Sequence, residues 1–141
     1  SIKTYKRSDD NMFTLEQIEK IHSKVKSGKD FPQYVKDLKE IGISYYNIYV
    51  EDGHAEYYGR EEEYLISPAS YPILEIAENG DADILKEALR IHQAGKTDYL
   101  TFCKDAAQAG VALWKTDVLN LKVIYFDKAG NEMVSELIPG V

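Results

Sequence analysis

A histidine beside a carboxylate lies in the most aromatic part of the chain. His54 follows Asp52 by two positions, and tyrosines flank the pair on both sides, among them Tyr46, Tyr57 and Tyr64. A histidine paired with a carboxylate can act as a general base, and phenols can donate hydrogen bonds to a polar ligand. The sequence shows no nucleophile, metal partner or second carboxylate at a defined spacing from them. The alternative is that Asp52 only shapes a turn, His54 is solvated and the tyrosines pack within a sheet.

A second aromatic candidate lies later in the chain, where Trp114 precedes Lys115. The two could offer a ring and a cation to a planar anionic ligand, or form an ordinary amphipathic strand. The candidate ligand-binding residues are therefore His54, Tyr46, Tyr57, Tyr64 and Trp114. We expect no catalytic residue, no metal ligand and no cofactor.

The remaining reactive residues favour structural roles. His22 and His92 lie near the apolar edges of predicted helices but are not at equivalent positions, so two core-edge histidines are expected rather than a metal pair. Cys103 falls on an apolar helical stripe, which predicts a buried and inert thiol. The acidic run at 61–63 could meet a basic partner or a divalent cation. We favour a solvated face there, because consecutive glutamates do not converge as metal ligands do.

Composition narrows the class of protein. The chain has 141 residues, a net charge of −7 and one cysteine. A strongly acidic balance opposes general affinity for nucleic acid, and no apolar run approaches the ~20 residues of a membrane helix. We therefore expect a cytoplasmic protein with neither nucleic acid nor membrane as a partner.

Periodicity and chain-breaking residues predict the elements. Two β-forming runs on either side of Asp52-Gly53 predict a hairpin, because Asp-Gly favours the centre of a two-residue turn with φ > 0. Helical spacing with capping residues predicts four helices, at 14–27, at 31–41, between Asp81 and Gly95 and between Asp98 and Gly110. Strands are predicted at 43–50, 55–59, 64–67, 111–115, 120–126 and 132–138.

The chain also contains an internal similarity. A shift of 68 positions superposes 30–67 on 98–135 without a gap, with seven identical pairs in 38 positions. Gly42 and Gly110 both follow a predicted helix, where a residue without Cβ enters the left-handed region easily. Chance could produce this modest identity, but the apolar stripes of the helices also coincide, and we predict a duplication.

One point separates the two halves. The Asp52-Gly53-His54 segment aligns with 120–122, which is predicted to continue a strand. A departure from a duplicated plan is a reasonable place for an added activity, so we expect any activity at this bend.

The predicted fold class is α+β, in two layers. Two pseudo-repeats of helix, helix and strands, at about 14–67 and 82–138, would pack on a mostly antiparallel sheet, since neither half can bury its sheet face alone. Residues 1–11 are polar and aperiodic, which predicts a disordered leader or a remnant foreign to the natural chain. Residues 12–141 are predicted to form a single domain.

Two motifs carry a resemblance to a known family. The helix FPQYVKDLKEIGI and the hairpin motif Y-x-x-Y-V-x-D-G-H, within Met12 to about Ile138, resemble the YbcV-like proteins. This is a small family of uncharacterised bacterial and phage-associated proteins, sometimes labelled phage envelope proteins. The resemblance implies no established activity, catalytic residue or cofactor.

Three functions follow as hypotheses. The leading one is a non-enzymatic binding or regulatory domain that contacts a protein or small ligand through the aromatic hairpin face, with a homodimer as an expected assembly. The second is a small-molecule-binding protein or enzyme with a pocket in which His54 acts as base while Tyr46 and Tyr57 orient the substrate. The third is a phage-related structural or acidic interaction protein.

Overall fold

Four helices and one antiparallel sheet make up the fold. A computed structural model of the chain describes residues 3–5, 13–26 and 28–140. The helices are α1 (Leu15–His22), α2 (Phe31–Glu40), α3 (Ala82–Gln93) and α4 (Tyr99–Gln108), with a 3₁₀ turn at Gly28–Asp30 before α2. The strands are β1 (Lys3–Tyr5), β2 (Ile43–Tyr49), β3 (Ala55–Gly59), β4 (Tyr64–Ile66), β5 (Val111–Asp117), β6 (Lys122–Asp127) and β7 (Glu132–Leu137).

The strand order is β1-β4-β3-β2-β5-β6-β7, and every neighbouring pair is antiparallel. The α+β prediction is therefore confirmed. Apart from β1 and the 3₁₀ turn, two helices followed by three strands occur twice along the chain. The duplication itself stays a prediction. Within the predicted leader, Lys3–Tyr5 form strand β1, and the rest of that segment lies outside the described residues.

Side-chain caps explain where α1, α3 and α4 start. Thr14 and Gln17 form the predicted capping box of α1, with each side chain accepting from the other's backbone N–H at 3.2 and 2.8 Å. Asp81 and Asp98 cap α3 and α4 in the same manner, through a carboxylate oxygen. The prediction that α1 runs to residue 27 was wrong, because the helix ends at His22.

The predicted hairpin is confirmed, but its turn differs from the predicted one. β2 and β3 pair through Tyr46 opposite Tyr57, and the connection is closed by the Gly53 N–H donating to the Tyr49 carbonyl at 2.8 Å. A two-residue turn would require φ > 0 at Asp52 as well as at Gly53. Only the glycine has it, at +75°, so a longer loop joins the strands.

The second half of the chain bends too, which corrects the expectation of a straight strand at 120–122. β5 ends at Asp117 and β6 begins at Lys122, with a turn between them. The Asp117 carboxylate accepts from the Asn120 backbone N–H at 2.9 Å, and Leu121 takes a left-handed φ of +55°. The bend at Asp52 is thus not unique to the first half, and it cannot by itself mark an added activity.

The helices cover one face of the sheet. Tyr34, Val35 and Leu38 of α2 and the inner side of α4 are buried against alternate residues of the strands, and together they form the core. Along β2, buried and half-buried side chains alternate, as expected for a sheet covered on one side. The opposite face of the sheet is half-buried, and the described helices do not pack on it.

Candidate functional site

The strand alternation places the five candidate residues on both faces of the sheet. Tyr46, Tyr57 and Trp114 lie on the helical face, with exposed fractions of 4%, 8% and 7%. His54 and Tyr64 lie on the opposite face and are half-buried. Because the sheet separates the two groups, they cannot line one pocket, and a site with His54 beside Tyr46 and Tyr57 does not form.

The buried tyrosines form an aromatic core cluster. The rings of Tyr46 and Tyr57 lie 5.5 Å apart, and Tyr34 of α2 meets Tyr46 edge to face at 6.4 Å. Burial raises the pKa of Tyr57 to about 12, although the neighbouring Tyr34 hydroxyl lowers it in part. These phenols are neutral at physiological pH and pack between the layers.

Trp114 is enclosed in the same layer. Its ring lies 5.7 Å from Phe102 of α4, 5.8 Å from Tyr125 and 6.3 Å from Tyr99. Three aromatic neighbours and 7% exposure place the indole in the core. Lys115, the next residue, points to the other face of the sheet.

We call that other side of the sheet the open face. Its members share the strand positions that point away from the helices, and they include Tyr45, Asn47, Tyr49, His54, Glu56, Tyr58, Tyr64, Ile66, Leu113, Lys115, Asp117, Lys122, Ile124, Phe126, Ser135 and Leu137. Aromatic and aliphatic residues predominate among them, with charged residues between. In the described part of the chain, no helix covers this face.

Two ring stacks organise the hairpin half of the open face. Tyr45 stacks on Tyr58 with centroids 4.6 Å apart and planes 12° from parallel, and the Lys115 ammonium lies 4.5 Å from the Tyr45 centroid. Tyr64 extends the row, with its ring 6.1 Å from that of Tyr58. A cation over a tyrosine ring is attracted by the ring's quadrupole, so Lys115 is held against the surface.

His54 forms the second stack. Its ring is parallel to Tyr49, with centroids 4.5 Å apart, and its Nδ1 lies 2.6 Å from Asp52 Oδ1. The same carboxylate oxygen accepts from the His54 backbone N–H at 3.0 Å. Burial opposes ionisation of Asp52, but these contacts with His54 outweigh it and lower the pKa of the carboxyl group. The imidazole is therefore oriented by a carboxylate, as in a general base.

Glu56 of β3 links the Tyr49–His54 stack to Asn47 of β2. Its carboxylate accepts from the Tyr49 hydroxyl at 3.0 Å and from the Asn47 side-chain amide at 3.4 Å. Burial and the neighbouring Glu56 charge raise the pKa of Tyr49. The open face thus carries its own hydrogen-bond network, and its side chains are pre-arranged.

A loop from the middle of the chain holds the turn beneath His54. The Ser70 backbone N–H donates to the Asp52 carbonyl at 2.8 Å, and the Tyr71 hydroxyl donates to the Val50 carbonyl at 2.7 Å. A Cβ on Gly53 would approach the Tyr71 ring to 2.6 Å, so the loop fits this turn closely. The Asp52–His54 pair is therefore attached to a well-packed turn.

Among the described residues, no group of three or more His, Cys, Asp or Glu side chains converges as a metal site would require. A shallow depression of about 480 Å³ lies elsewhere, beside Gln108 and Lys128, and none of the candidate residues lines it. In the described part of the chain, the Asp52–His54 pair therefore has Tyr49 as an aromatic neighbour but is not part of a metal-binding cluster.

The sequence interpretation left several open-face residues out of the candidate set. Tyr45, Tyr49, Glu56, Tyr58 and Lys115 lie at every second position of strands that were correctly predicted. A period-two reading of those strands separates them from Tyr46 and Tyr57 and places them beside His54. That signal was present in the sequence.

The fold and this surface define a two-layer α+β domain with an aromatic open sheet face. Within the described ranges, no helix has the length and apolar character needed to span a membrane. Residues 19–137 match the family described as "Protein of unknown function (DUF1398)", so the chain belongs to that family. It is also similar to "Uncharacterized protein YcgX" of Escherichia coli (strain K12), at 25% identity over 108 residues, which are 77% of this chain and 81% of the relative.

Proposed function

We propose that this protein is a non-enzymatic binding domain of the cytoplasm that acts through the open face of its sheet. One observation carries the proposal: the Tyr45–Tyr58 stack, with the Lys115 ammonium over the Tyr45 ring, lies on the side of the sheet that the helices leave uncovered. Contiguous aromatic surface that is not used in a core is typical of interaction sites, which are enriched in tyrosine.

Hydrogen bonds within the open face order its side chains before a partner binds. The Tyr49 hydroxyl and the Asn47 amide both donate to Glu56, so the side chains between the two stacks are held in place. Side chains ordered before binding lose less conformational entropy when a partner arrives. This favours a role in recognition.

A second candidate function rests on the 2.6 Å contact between Asp52 and His54. A carboxylate-oriented imidazole could act as a base toward a small ligand bound on the open face. We rank this below binding, because the ring is stacked on Tyr49 and its hydrogen bond goes to Asp52 and not to a serine, threonine or cysteine side chain. The YbcV-like and phage-related assignments remain proposals that rest on the sequence resemblance.

An NMR titration with phenol, which mimics an aromatic side chain, tests the proposed surface. We expect the largest changes in amide chemical shift on β2, β3 and β5. This holds whether phenol binds to a free open face or displaces a partner from it. Tyr58→Ala should weaken these shifts, while Leu100→Ala, an exposed apolar position on α4, should leave them unchanged. Shifts confined to the helical side would contradict the proposal.

A further inference from the structure

We infer that the occupant of the open face is a second copy of this chain, packed sheet against sheet. The twofold axis would run parallel to the strands, between β2 and β5, with β4, β3 and β2 on one side and β5, β6 and β7 on the other, and with the edge strand β1 outside the contact. The inference rests on the proposed function, because it names the partner of the same surface.

The ring stacks favour a protein partner over a planar small molecule. Both faces of the Tyr45 ring are occupied, one by Tyr58 and the other by the Lys115 ammonium, and Tyr49 is stacked on His54. A flat ligand would have to break one of these contacts before it could stack. What the surface presents outward is ring edges and hydroxyl groups, which suit a second protein surface.

The size of the open face suits a modest dimer. Without the edge strand β1, the six strands from β4 to β7 in the sheet order span about 24 Å at the usual spacing, and their average length of about six residues corresponds to about 20 Å. Two such faces in contact remove on the order of 1,000 Å² from water, which is near the lower limit for a specific interface. A dimer of this kind is expected to depend on protein concentration.

One row of side chains across the sheet is complementary to the same row of a second copy when the strand order of that copy is reversed. The cross-strand pairs place six residues at one level of the sheet, in the order Tyr64, Tyr58, Tyr45, Asp117, Lys122 and Leu137. The proposed axis reverses the strand order in the second copy. Three tyrosines of one copy then meet a carboxylate, an ammonium and an aliphatic side chain of the other.

Each of these contacts is favourable by its chemistry. The Tyr45 hydroxyl can donate to Asp117 of the second copy, and the Lys122 ammonium of that copy can donate to the Tyr58 hydroxyl. Tyr64 would cover Leu137, which is 84% exposed in the single chain. Two aligned sheets cross at about 30°, so the contacts nearest the axis are expected to fit best.

The neighbouring rows are compatible with the same arrangement. Tyr49 would face Leu113 of the second copy, and His54 would face Phe126, so these contacts are apolar or aromatic. Glu56 would lie over Ile124 and diagonal to Lys115, the cation nearest the axis. The reversed arrangement places this carboxylate beside a cation of the partner instead of beside another carboxylate.

Sedimentation velocity over a range of protein concentrations tests the inference. We expect a mass that rises from 16.0 kDa toward twice that value. Tyr58→Lys, which would set two ammonium groups against each other, should raise the dissociation constant at least about tenfold. The double variant Tyr58→Lys with Lys122→Glu should recover most of the affinity, because the ammonium introduced on β3 then meets a carboxylate.

The control is Lys86→Glu, which makes the same charge change as Lys122→Glu at an exposed position of α3; it should leave the wild-type dissociation constant unaltered and should not restore the affinity of Tyr58→Lys. Trp114 fluorescence reports that each variant is folded, since the indole is in the core. A wild-type chain that stays at 16.0 kDa, or a dimer insensitive to Tyr58→Lys, overturns the inference. If phenol still perturbs the open face of such a monomer, the proposed function survives; if it perturbs only the helical side, both fail.

Discussion

Asn47 pairs with Lys115 across the two central strands, and the two residues are separated by the same 68 positions that superpose the halves of the sequence. The register irregularity between Ile43 and Tyr45 in β2 recurs 68 positions later in β5. A twofold axis between equivalent halves would bring equivalent residues together at the axis. The register is therefore what an internal duplication requires, and the duplication remains our prediction.

Gly42 and Gly110, which are 68 positions apart, allow the backbone strain of alanine at positive φ to be measured separately from a steric clash of its Cβ. Gly42 has a φ of +100° and open space where a Cβ would lie, whereas Gly110 has a φ of +88° and its Cβ would lie 2.7 Å from the Asn79 carbonyl oxygen. Gly42→Ala should lower the free energy of unfolding by about 1 kcal/mol, the usual cost of alanine at positive φ. Gly110→Ala should cost about 3 kcal/mol or more, because backbone atoms must move. Urea unfolding of both variants measures the difference, and equal losses would show that the contact with Asn79 yields easily.

Most of the fold could be predicted because local signals agreed with one another. Helical spacing, capping residues and the glycines after α2 and α4 all indicated the same elements, and β3 was predicted at its observed bounds. The strand after β5 was predicted to begin at 120, whereas Leu121 still lies in the turn, with a left-handed φ that a leucine rarely takes. The Asp117 carboxylate stabilises that turn, and no glycine marks it.

The candidate site could be predicted only in part. The aromatic richness of the hairpin was evident, but Tyr46 and Tyr57 were grouped with His54, although strand alternation separates them. Which face a helix covers depends on the path of the whole chain, so composition alone cannot say which tyrosines remain outside. The Asp52–His54 contact was suggested by their spacing, whereas the Lys115–Tyr45 contact depends on the pairing of β2 with β5.

Replacing Asp52 with asparagine measures how much its contacts with His54 contribute to the free energy of unfolding. Since the pKa of Asp52 is lowered in the folded chain, its contribution to stability is present above the unfolded pKa of about 4 and is lost as the pH falls through the folded pKa. We expect Asp52→Asn to cost about 1–2 kcal/mol near neutral pH and progressively less below about pH 4. Urea unfolding at several pH values measures this, with the exposed Glu132→Gln as control. A cost that does not change with pH would assign the loss to the turn geometry instead of the charge.

The buried tyrosine pair predicts a loss of stability at alkaline pH. Burial raises the pKa of Tyr57 to about 12, above the value near 10 for an unfolded tyrosine. Its stabilising effect is complete below about pH 10 and disappears as the pH rises through the folded pKa, because the unfolded phenol ionises first. Tyr57→Phe should cost about 1 kcal/mol at neutral pH, because its hydroxyl no longer meets that of Tyr34, and should make the alkaline decline shallower. Parallel declines for wild type and variant would mean that other tyrosines dominate the titration.

The single cysteine offers a direct probe of core opening. Cys103 on α4 is 0% exposed, and burial raises the pKa of its thiol, so both access and the reactive thiolate are suppressed in the native chain. We expect alkylation of the folded protein to be at least about 1,000-fold slower than in denaturant, because labelling requires opening of the core. A cysteine placed at the exposed Lys86, in a Cys103→Ala background, should react at the rate of a free thiol. Mass spectrometry of timed samples measures both rates. Fast labelling of native Cys103 would show that α4 leaves the sheet readily, and the core between the two layers would then be a dynamic part of the fold.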